Sequence, residues 1–415
     1  MTRGQEATPS RRLTVHEARG FLKRHFGRSV GTEVLPVAQA FGRILAGDFI
    51  ASSDLPRFNA SAMDGFAVRS SDLQSGRQGR LKVVGRSLAG HPASLELGRF
   101  EAMRILTGAV LPAGADRVLK QEDCTESEGW ITATLPASGK SNVRLKGEDV
   151  ALGSVAVRNG TRLSSGHLAL LGSLGTDAIN VHRSVRVALF STGDEVCPGP
   201  VFGEGLVGDA NRPMLGALLR EFGCTVSDGG IVADSVEELT ELLRAAALDN
   251  DLIITTGGMS VGDEDHLVDV IKRRGYLEFW RLHARPGKPV GFGDIDDCPV
   301  LGLPGNPSAA LVMFLMLGLP LIALLGGEHA EYPKFLRLPA ASSLSKPADW
   351  WEAIAGKLLS VSGKPTCVEA LKKRGSAMLS TLAEADGFIV LPEDTMSVAA
   401  GDIVDFLPLT GQRQY

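Results

Sequence analysis

The chain is 415 residues long, with hydrophobic residues at 44% and charged residues at 22%. These are ordinary proportions for a soluble globular protein, and the length implies about two to four domains. Lysine and arginine number 43 against 48 acidic residues, a formal net charge of −5, and such a mildly acidic chain offers no general platform for nucleic acid or an anionic membrane. An anionic ligand must therefore be met by a local basic cluster. The five cysteines (Cys124, Cys197, Cys224, Cys298 and Cys367) are odd in number, scattered and without a C-x-x-C pair, so reduced, cytoplasmic thiols are the simpler reading than disulfides or a zinc site. Met1 to Arg12 is polar and lacks the apolar run of a signal peptide.

From Leu13 to Ala46 the apolar residues recur at helical spacing, with Thr14 before Glu17 in a capping-box arrangement. From Ala51 to about Leu145 short β-type runs are broken by Gly and Pro, as in Leu81 to Gly85 and Trp130 to Pro136. A helical stretch at Gly166 to Leu174 is expected to pack back on the opening helices. At Val185 the pattern changes to alternating strands and helices, which implies a doubly wound, mostly parallel sheet. Strands are expected near Val185, Cys224 to Val232, Leu252 to Thr256 and Val300, with helices at Asn211 to Phe222, Ser235 to Ala247 and before Arg274. Ala309 to Leu325 is uncharged, but it falls short of the roughly 20 residues a membrane span needs and carries Gly318 and Pro320, so it reads as a buried helix. After Tyr332-Pro333, runs such as Gly387 to Pro392 and Asp402 to Phe406 read as a small closing β domain. The expected division is 13–50 with 147–184 as a helical, linking domain, 51–146 as a β-rich domain, 185–326 as the α/β domain, and 334–415 as the C-terminal β domain.

The α/β region carries the chemistry. The apolar run Leu252 to Thr256 stops at Gly257-Gly258-Met259-Ser260-Val261-Gly262 and then at Asp263, Glu264 and Asp265. Small residues at a strand end leave backbone N–H groups open to an anion, and open α/β sheets bind ligands at that edge. The same pattern of strand, glycine and acid recurs at Val185 to Glu195. In Leu303-Pro304-Gly305-Asn306-Pro307, Asn306 is a good N-cap and Pro307 is pre-set for the first helical position. Arg281, Arg285 and Lys288 are three cations in a segment stiffened by Pro286 and Pro289, suited to phosphate. Glu195, Asp234 and Asp265 follow or adjoin strands of this domain and are candidates to hold Mg2+. Taken singly, each feature also has a plainer reading as a capped turn, a solvated loop or solvated acids. His266 and His283 receive no role.

Three blocks in the β-rich half are unusual for structural turns: Phe58-Asn59-Ala60-Ser61-Ala62-Met63-Asp64-Gly65-Phe66, Arg104 to Ala109 with Thr107, and Asn142 to Asp149. With the α/β motifs above, in the same order over nearly the whole chain, they resemble molybdopterin molybdenumtransferase, the MoeA and gephyrin E-domain family. The resemblance implies insertion of molybdate into adenylylated molybdopterin with Mg2+-dependent release of AMP. It implies a cytoplasmic homodimer whose site is shared between subunits, with the adenylyltransferase that supplies the activated pterin as a partner and no nucleic acid or membrane. The family's functional positions fall on Asp64, Thr107, Asp149, Glu195, Asp234 and Asp265 as catalytic or metal-binding residues. Gly257, Gly258, Ser260, Arg281, Arg285, Lys288, Pro304, Pro307 and Ser376 fall on the substrate side. The sequence departs from the family in having Arg281 and Arg285 where some members have lysine, Asp386 where Asn is frequent, and Ala377 where Gly is common. An adenylyltransferase resembling residues 185–326 alone and a receptor-clustering scaffold are the alternatives, and the β-rich blocks argue against the first.

Overall fold

The computed structural model describes residues 12–25, 29–73, 78–134, 140–199, 203–233, 235–258, 266–360, 366–372 and 377–412. The opening helix α1 (Val15–His25) starts from a reciprocal capping box: Glu17 N donates to Thr14 Oγ1 at 3.1 Å and Thr14 N to Glu17 Oε2 at 2.9 Å. The helical reading of the rest of this region does not hold, because Thr32–Pro36 is a strand that pairs antiparallel with Ala178–His182. Thr32 and Val34 are β-branched, which favours the pleat over the helix. Phe49–Ile50 likewise pairs with Val155–Val157, so the two stretches that flank the β-rich segment are joined by strands. Helix α2 (Ser165–Ser173) packs with Val37, Leu45 and Val181 around Leu171, whereas Val15, Ala18 and Leu22 of α1 belong to the core of the α/β layer. The expected contact between the two helices is therefore replaced by two separate packings.

Between these stretches lies a six-stranded sheet in the order Arg117–Lys120, Gly65–Val68, Glu101–Ile105, Gln78–Ser87, Trp130–Thr134, Cys124–Ser127. Gly65–Val68 is its buried interior strand, so the residues immediately before it are fixed in place.

The α/β layer is built from strands β1 (Arg186–Thr192), β2 (Thr225–Val232), β3 (Leu252–Thr256), β4 (Gly275–Arg281), β5 (Ala284–Arg285), β6 (Pro289–Ile295) and β7 (Cys298–Leu303). Helices α3 (Asn211–Glu221), α4 (Val236–Asp249), α5 (His266–Arg274) and α6 (Pro307–Leu325) cover them. The sheet order is β2-β1-β3-β7-β6-β4; β1, β2, β3 and β7 run parallel, and β6 and β4 add an antiparallel margin that the sequence reading did not separate from the helix before it. Alternate residues feed opposite faces. Val187, Leu189, Leu252 and Ile254 pack toward α6, while Ala188, Phe190 and Ile253 pack toward Leu239, Leu243, Leu267 and Ile271 of α4 and α5. Helix α6 is the apolar run of the sequence and is largely buried inside the chain. It widens to a π-turn at Phe314–Gly318, just ahead of Pro320, whose missing N–H and ring displace the ordinary ladder.

Five further strands, β8 (Leu336–Pro339), β9 (Trp351–Leu359), β10 (Cys367–Ala370), β11 (Gly387–Leu391) and β12 (Ile403–Pro408), form the closing β layer. Its sheet runs β5-β9-β11-β12-β8 with β10 on β9, so two residues of the α/β region, Ala284 and Arg285, serve as its edge strand.

Candidate active site

Adjacent parallel strands end in glycine along one edge of the α/β sheet. β1 runs out at Thr192 before Gly193, β3 at Thr256 before Gly257, and β7 at Leu303 before Pro304 and Gly305. With the order β2-β1-β3-β7 the chain leaves β1 toward one side and returns to its other side as β3, so the crevice between them is a topological switch point, where doubly wound folds take ligands.

Close passage of backbone explains the glycine at 257. Gly257 has φ +94°, and a Cβ there would stand 2.5 Å from the Thr192 carbonyl oxygen; Gly258 has φ +62°. A Cβ on Gly305 would lie 3.6 Å from Gly257 Cα, and Gly257 N donates to Leu303 O at 3.1 Å, so the β3 and β7 loops touch. Glu195 folds back over Gly193, whose added Cβ would meet Glu195 Oε2 at 2.6 Å. The exposed carboxylate of Glu195 thus stands at the same edge. Buried Asn211, the first residue of α3, locks the third loop by donating from Nδ2 to Gly305 O at 2.8 Å, and its Oδ1 has no hydrogen-bond partner among the described residues. The sequence reading passed over Asn211; a buried amide heading a helix at the ligand edge was its only signal.

Asn306 and Pro307 take the N-cap and first helical positions of α6 as expected, but the Asn306 side chain makes no capping hydrogen bond. Pro304, Gly305 and Asn306 form one wall of a cleft of about 400 Å³, with Arg285, Lys288 and Trp350 on the other. The cation segment is not a free loop. Arg281 ends β4, and Arg285 lies on β5, held parallel to β9 by the pairings Ala284↔Trp351 and Arg285↔Glu352. Arg285 and Lys288 are exposed, and neither meets a carboxylate among the described residues. The Arg285 guanidinium lies over the Trp350 ring, its Cζ 4.3 Å from the centroid.

In the β-rich sheet Thr107 donates from both N and Oγ1 to Asp64 Oδ1, each at 2.7 Å. The Thr107 backbone and side-chain bonds, with the nearby Arg104 charge, hold the exposed Asp64 carboxyl below the usual carboxylate range. The turn bearing Asp149 is attached to the segment leading into Asp64: Lys146 N donates to Asn59 Oδ1 at 2.8 Å and Asp149 N to Leu55 O at 3.1 Å. This sheet shares no strand with the α/β sheet.

The expected site residues therefore fall into two groups within one chain. Asp64 and Thr107, with the Asp149 turn, form one; Glu195, Gly257, Gly258, Arg285, Lys288, Pro304 and Pro307, with Arg281 at the end of β4, form the other. Ser260, Asp234, Asp265 and Ser376 lie outside the described residues, as do Asp263 and Glu264. In the sequence Asp234 is two residues after Val232, which is opposite Thr192 in the sheet register, and Asp265 is the residue before α5. Among the described residues no group of three or more His, Cys, Asp or Glu side chains is arranged to hold a metal.

A doubly wound layer with its loops gathered at the switch point, clasped by β-rich layers before and after it in the chain, is the architecture of an α/β enzyme that takes its ligand at that edge. The MoeA N-terminal region (domain I and II) matches residues 13–175, a probable molybdopterin binding domain residues 188–324, and the MoeA C-terminal region (domain IV) residues 337–409. Molybdopterin molybdenumtransferase of Haemophilus influenzae is 36% identical over 399 residues, which span 95% of this chain and 98% of that one. A molybdopterin biosynthesis MoeA protein from Pyrococcus horikoshii superposes with a TM-score of 0.83 at 26% identity, covering 95% of this chain and 99% of its own. A second structure of the same description gives 0.78 at 30% identity, covering 97% and 100%. The chain belongs to the molybdopterin molybdenumtransferase family, and it is an enzyme of molybdenum cofactor biosynthesis.

Proposed function

We propose that this enzyme inserts molybdate into adenylylated molybdopterin and releases AMP, and that the cleft between Arg285 and Pro304 receives the substrate's phosphates. The observation that carries the reading is the pair of cations without a carboxylate partner among the described residues, Arg285 and Lys288, facing the start of a 19-residue helix. Arginine can grip a phosphate bidentately and lysine adds a point charge, while the α6 N-terminus favours negative charge.

In the proposed reaction water attacks one phosphorus of the phosphoanhydride and gives its proton to the buffer. The bond from that phosphorus to the bridging oxygen breaks, and the oxygen leaves with the electron pair as the other phosphate's anion. Arg285 and Lys288 counter that charge in place. Glu195, with Asp234 and Asp265, would hold Mg2+; an all-carboxylate donor set fits a hard cation, and the exposed Glu195 carboxylate at the switch point is one such donor. Mg2+ would neutralise phosphate charge there. Gly257 and Gly258 leave room for the ligand to approach the backbone.

Asp64 and Thr107 are assigned to the molybdate end of a site completed across a homodimer. Support comes from their separate sheet and from large apolar residues left exposed on the linking strands and turns: Val34 (70%), Phe41 (66%) and Leu152 (62%). The activated pterin would come from an adenylyltransferase in a cytoplasm that keeps the thiols reduced.

The test is a discharge assay with adenylylated molybdopterin and molybdate, with and without Mg2+, following AMP. Arg285→Ala should lose most AMP release while the fold is retained; unchanged release would refute the cleft assignment. For the shared site, an Asp64→Asn chain mixed with an Arg285→Ala chain should recover about one quarter of wild-type activity, because half the dimers are mixed and each mixed dimer has one intact site. No recovery after subunit exchange would place both groups in one subunit's site.

A further inference from the structure

The C-terminal layer supplies to the cleft an aromatic ring, Trp350, that is not among the expected site residues. Ala284 and its register partner Trp351 are buried, at 1% and 6% exposure, so the alternation along β5 turns Arg285 to the opposite side, where it lines the cleft with Trp350, the residue immediately before β9. Trp351 N donates to His283 O at 3.3 Å, which fixes this register. Asp349, at φ +64°, turns the chain into Trp350. The Trp350 ring then takes Arg285 Cζ at 4.3 Å from its centroid and the His283 ring at 4.3 Å, tilted 52°.

A carboxylate in this place would hold Arg285 but would also cancel its charge and occupy its N–H donors. A ring holds the guanidinium by its face and leaves the in-plane donors free. We propose that Trp350 is a positioning residue: it pins the Arg285 guanidinium so that its N–H edge is presented to a phosphate oxyanion in the cleft. This rests on the assignment of the cleft to the substrate's phosphates. An arginine left unpaired on a two-residue strand would otherwise spread over many rotamers, and ordering it would fall to the ligand.

The test uses the intact enzyme with AMP as the probe, measured by titration calorimetry, and thermal midpoints as the control for folding. Arg285→Ala should weaken AMP by well over tenfold. Trp350→Leu, which keeps an apolar side chain but removes the π face, should weaken it by about five- to tenfold, while Trp350→Phe, which is also smaller than Trp but keeps a π face, should stay within about threefold. In the Arg285→Ala background Trp350→Leu should add less than about twofold, since the ring acts through Arg285. In turnover, Trp350→Leu should raise KM for the adenylylated substrate and also lower kcat, because the Arg285 it positions both binds the phosphates and counters the charge on the leaving one. Wild-type AMP binding by Trp350→Leu, or a full additional loss in the Arg285→Ala background, would overturn the positioning role while leaving the cleft assignment standing. Unchanged AMP binding by Arg285→Ala would instead overturn the cleft assignment and this role with it.

Discussion

Substitution of Gly257 by alanine tests the geometry of the switch point directly. Two separate costs are built into that position. The residue has φ +94°, a backbone conformation that costs an L-residue about 1–2 kcal/mol. The added Cβ would also stand 2.5 Å from the Thr192 carbonyl oxygen. That neighbour is backbone at the end of β1, so no side chain can swing away, and shifting a packed strand end costs about 1–3 kcal/mol. Gly257→Ala should therefore lose roughly 2–5 kcal/mol in chemical denaturation. Two comparisons separate the costs. Gly108 has φ +80° with nothing within 4 Å of its added Cβ, so Gly108→Ala should show the conformational part alone, about 1 kcal/mol. Gly305 does not have a positive φ and its Cβ would find only Gly257 Cα at 3.6 Å, so Gly305→Ala should stay within about 0.5 kcal/mol. The order Gly257, Gly108, Gly305 in denaturation free energy is the expected outcome. A wild-type midpoint for Gly257→Ala would refute the close approach of the β1 and β3 loops on which the site depends.

Glu328, with a side chain 2% exposed, bonds Arg162 and accepts from the Tyr332 hydroxyl at 3.0 Å; Glu328→Ala leaves the guanidinium buried and unpaired and should cost about 3–5 kcal/mol by urea denaturation, whereas a loss below 1 kcal/mol would mean the pair is solvated. For Asp251, burial raises the carboxyl but the bonds from Arg183 and the Arg186 backbone outweigh it, so its folded pKa lies below the ordinary value. A depressed carboxylate stabilises above its unfolded value of about 3.9 and loses that contribution as pH falls through the lower folded value. The stability difference between wild type and Asp251→Asn should hence be constant at neutral pH and shrink in strong acid, and parallel pH profiles would contradict the assignment. Cys298 is buried, and burial followed by the charges of Asp251 and Asp294 pushes its thiol up to about 12. Alkylation followed by peptide mass mapping should reach it only on unfolding, well after the half-buried Cys197 and Cys367; labelling of Cys298 at the same rate as those two would show that this core opens.

Legibility in the sequence followed the range of the interactions. The parallel strands could be read because each is buried on both faces, and a continuous apolar run such as Leu252 to Thr256 carries that fact locally. The strand-end glycines at 193 and 257 could be read because their positive φ is a local requirement, whereas Gly305 has ordinary φ and room for a Cβ. The region after α1 misled because Thr32–Pro36 owes its strand to Ala178–His182, a partner nearly 150 residues away, and helical and extended spacings are hard to separate in so short a run. Asp64 and Thr107 emerged as motif residues, but nothing local foretells that the threonine's N–H and hydroxyl both close on one carboxylate oxygen. Trp350 is the clearest case. As a residue in Asp349-Trp350-Trp351 it reads as one of two aromatics in a strand, and only a two-residue parallel pairing with Ala284–Arg285 turns one ring into the core and the other onto a cation in the cleft. That pairing also explains why the C-terminal layer belongs to the site at all. Without it, the Arg285 backbone would be an unpaired edge, and the cation would be set by the α/β layer alone.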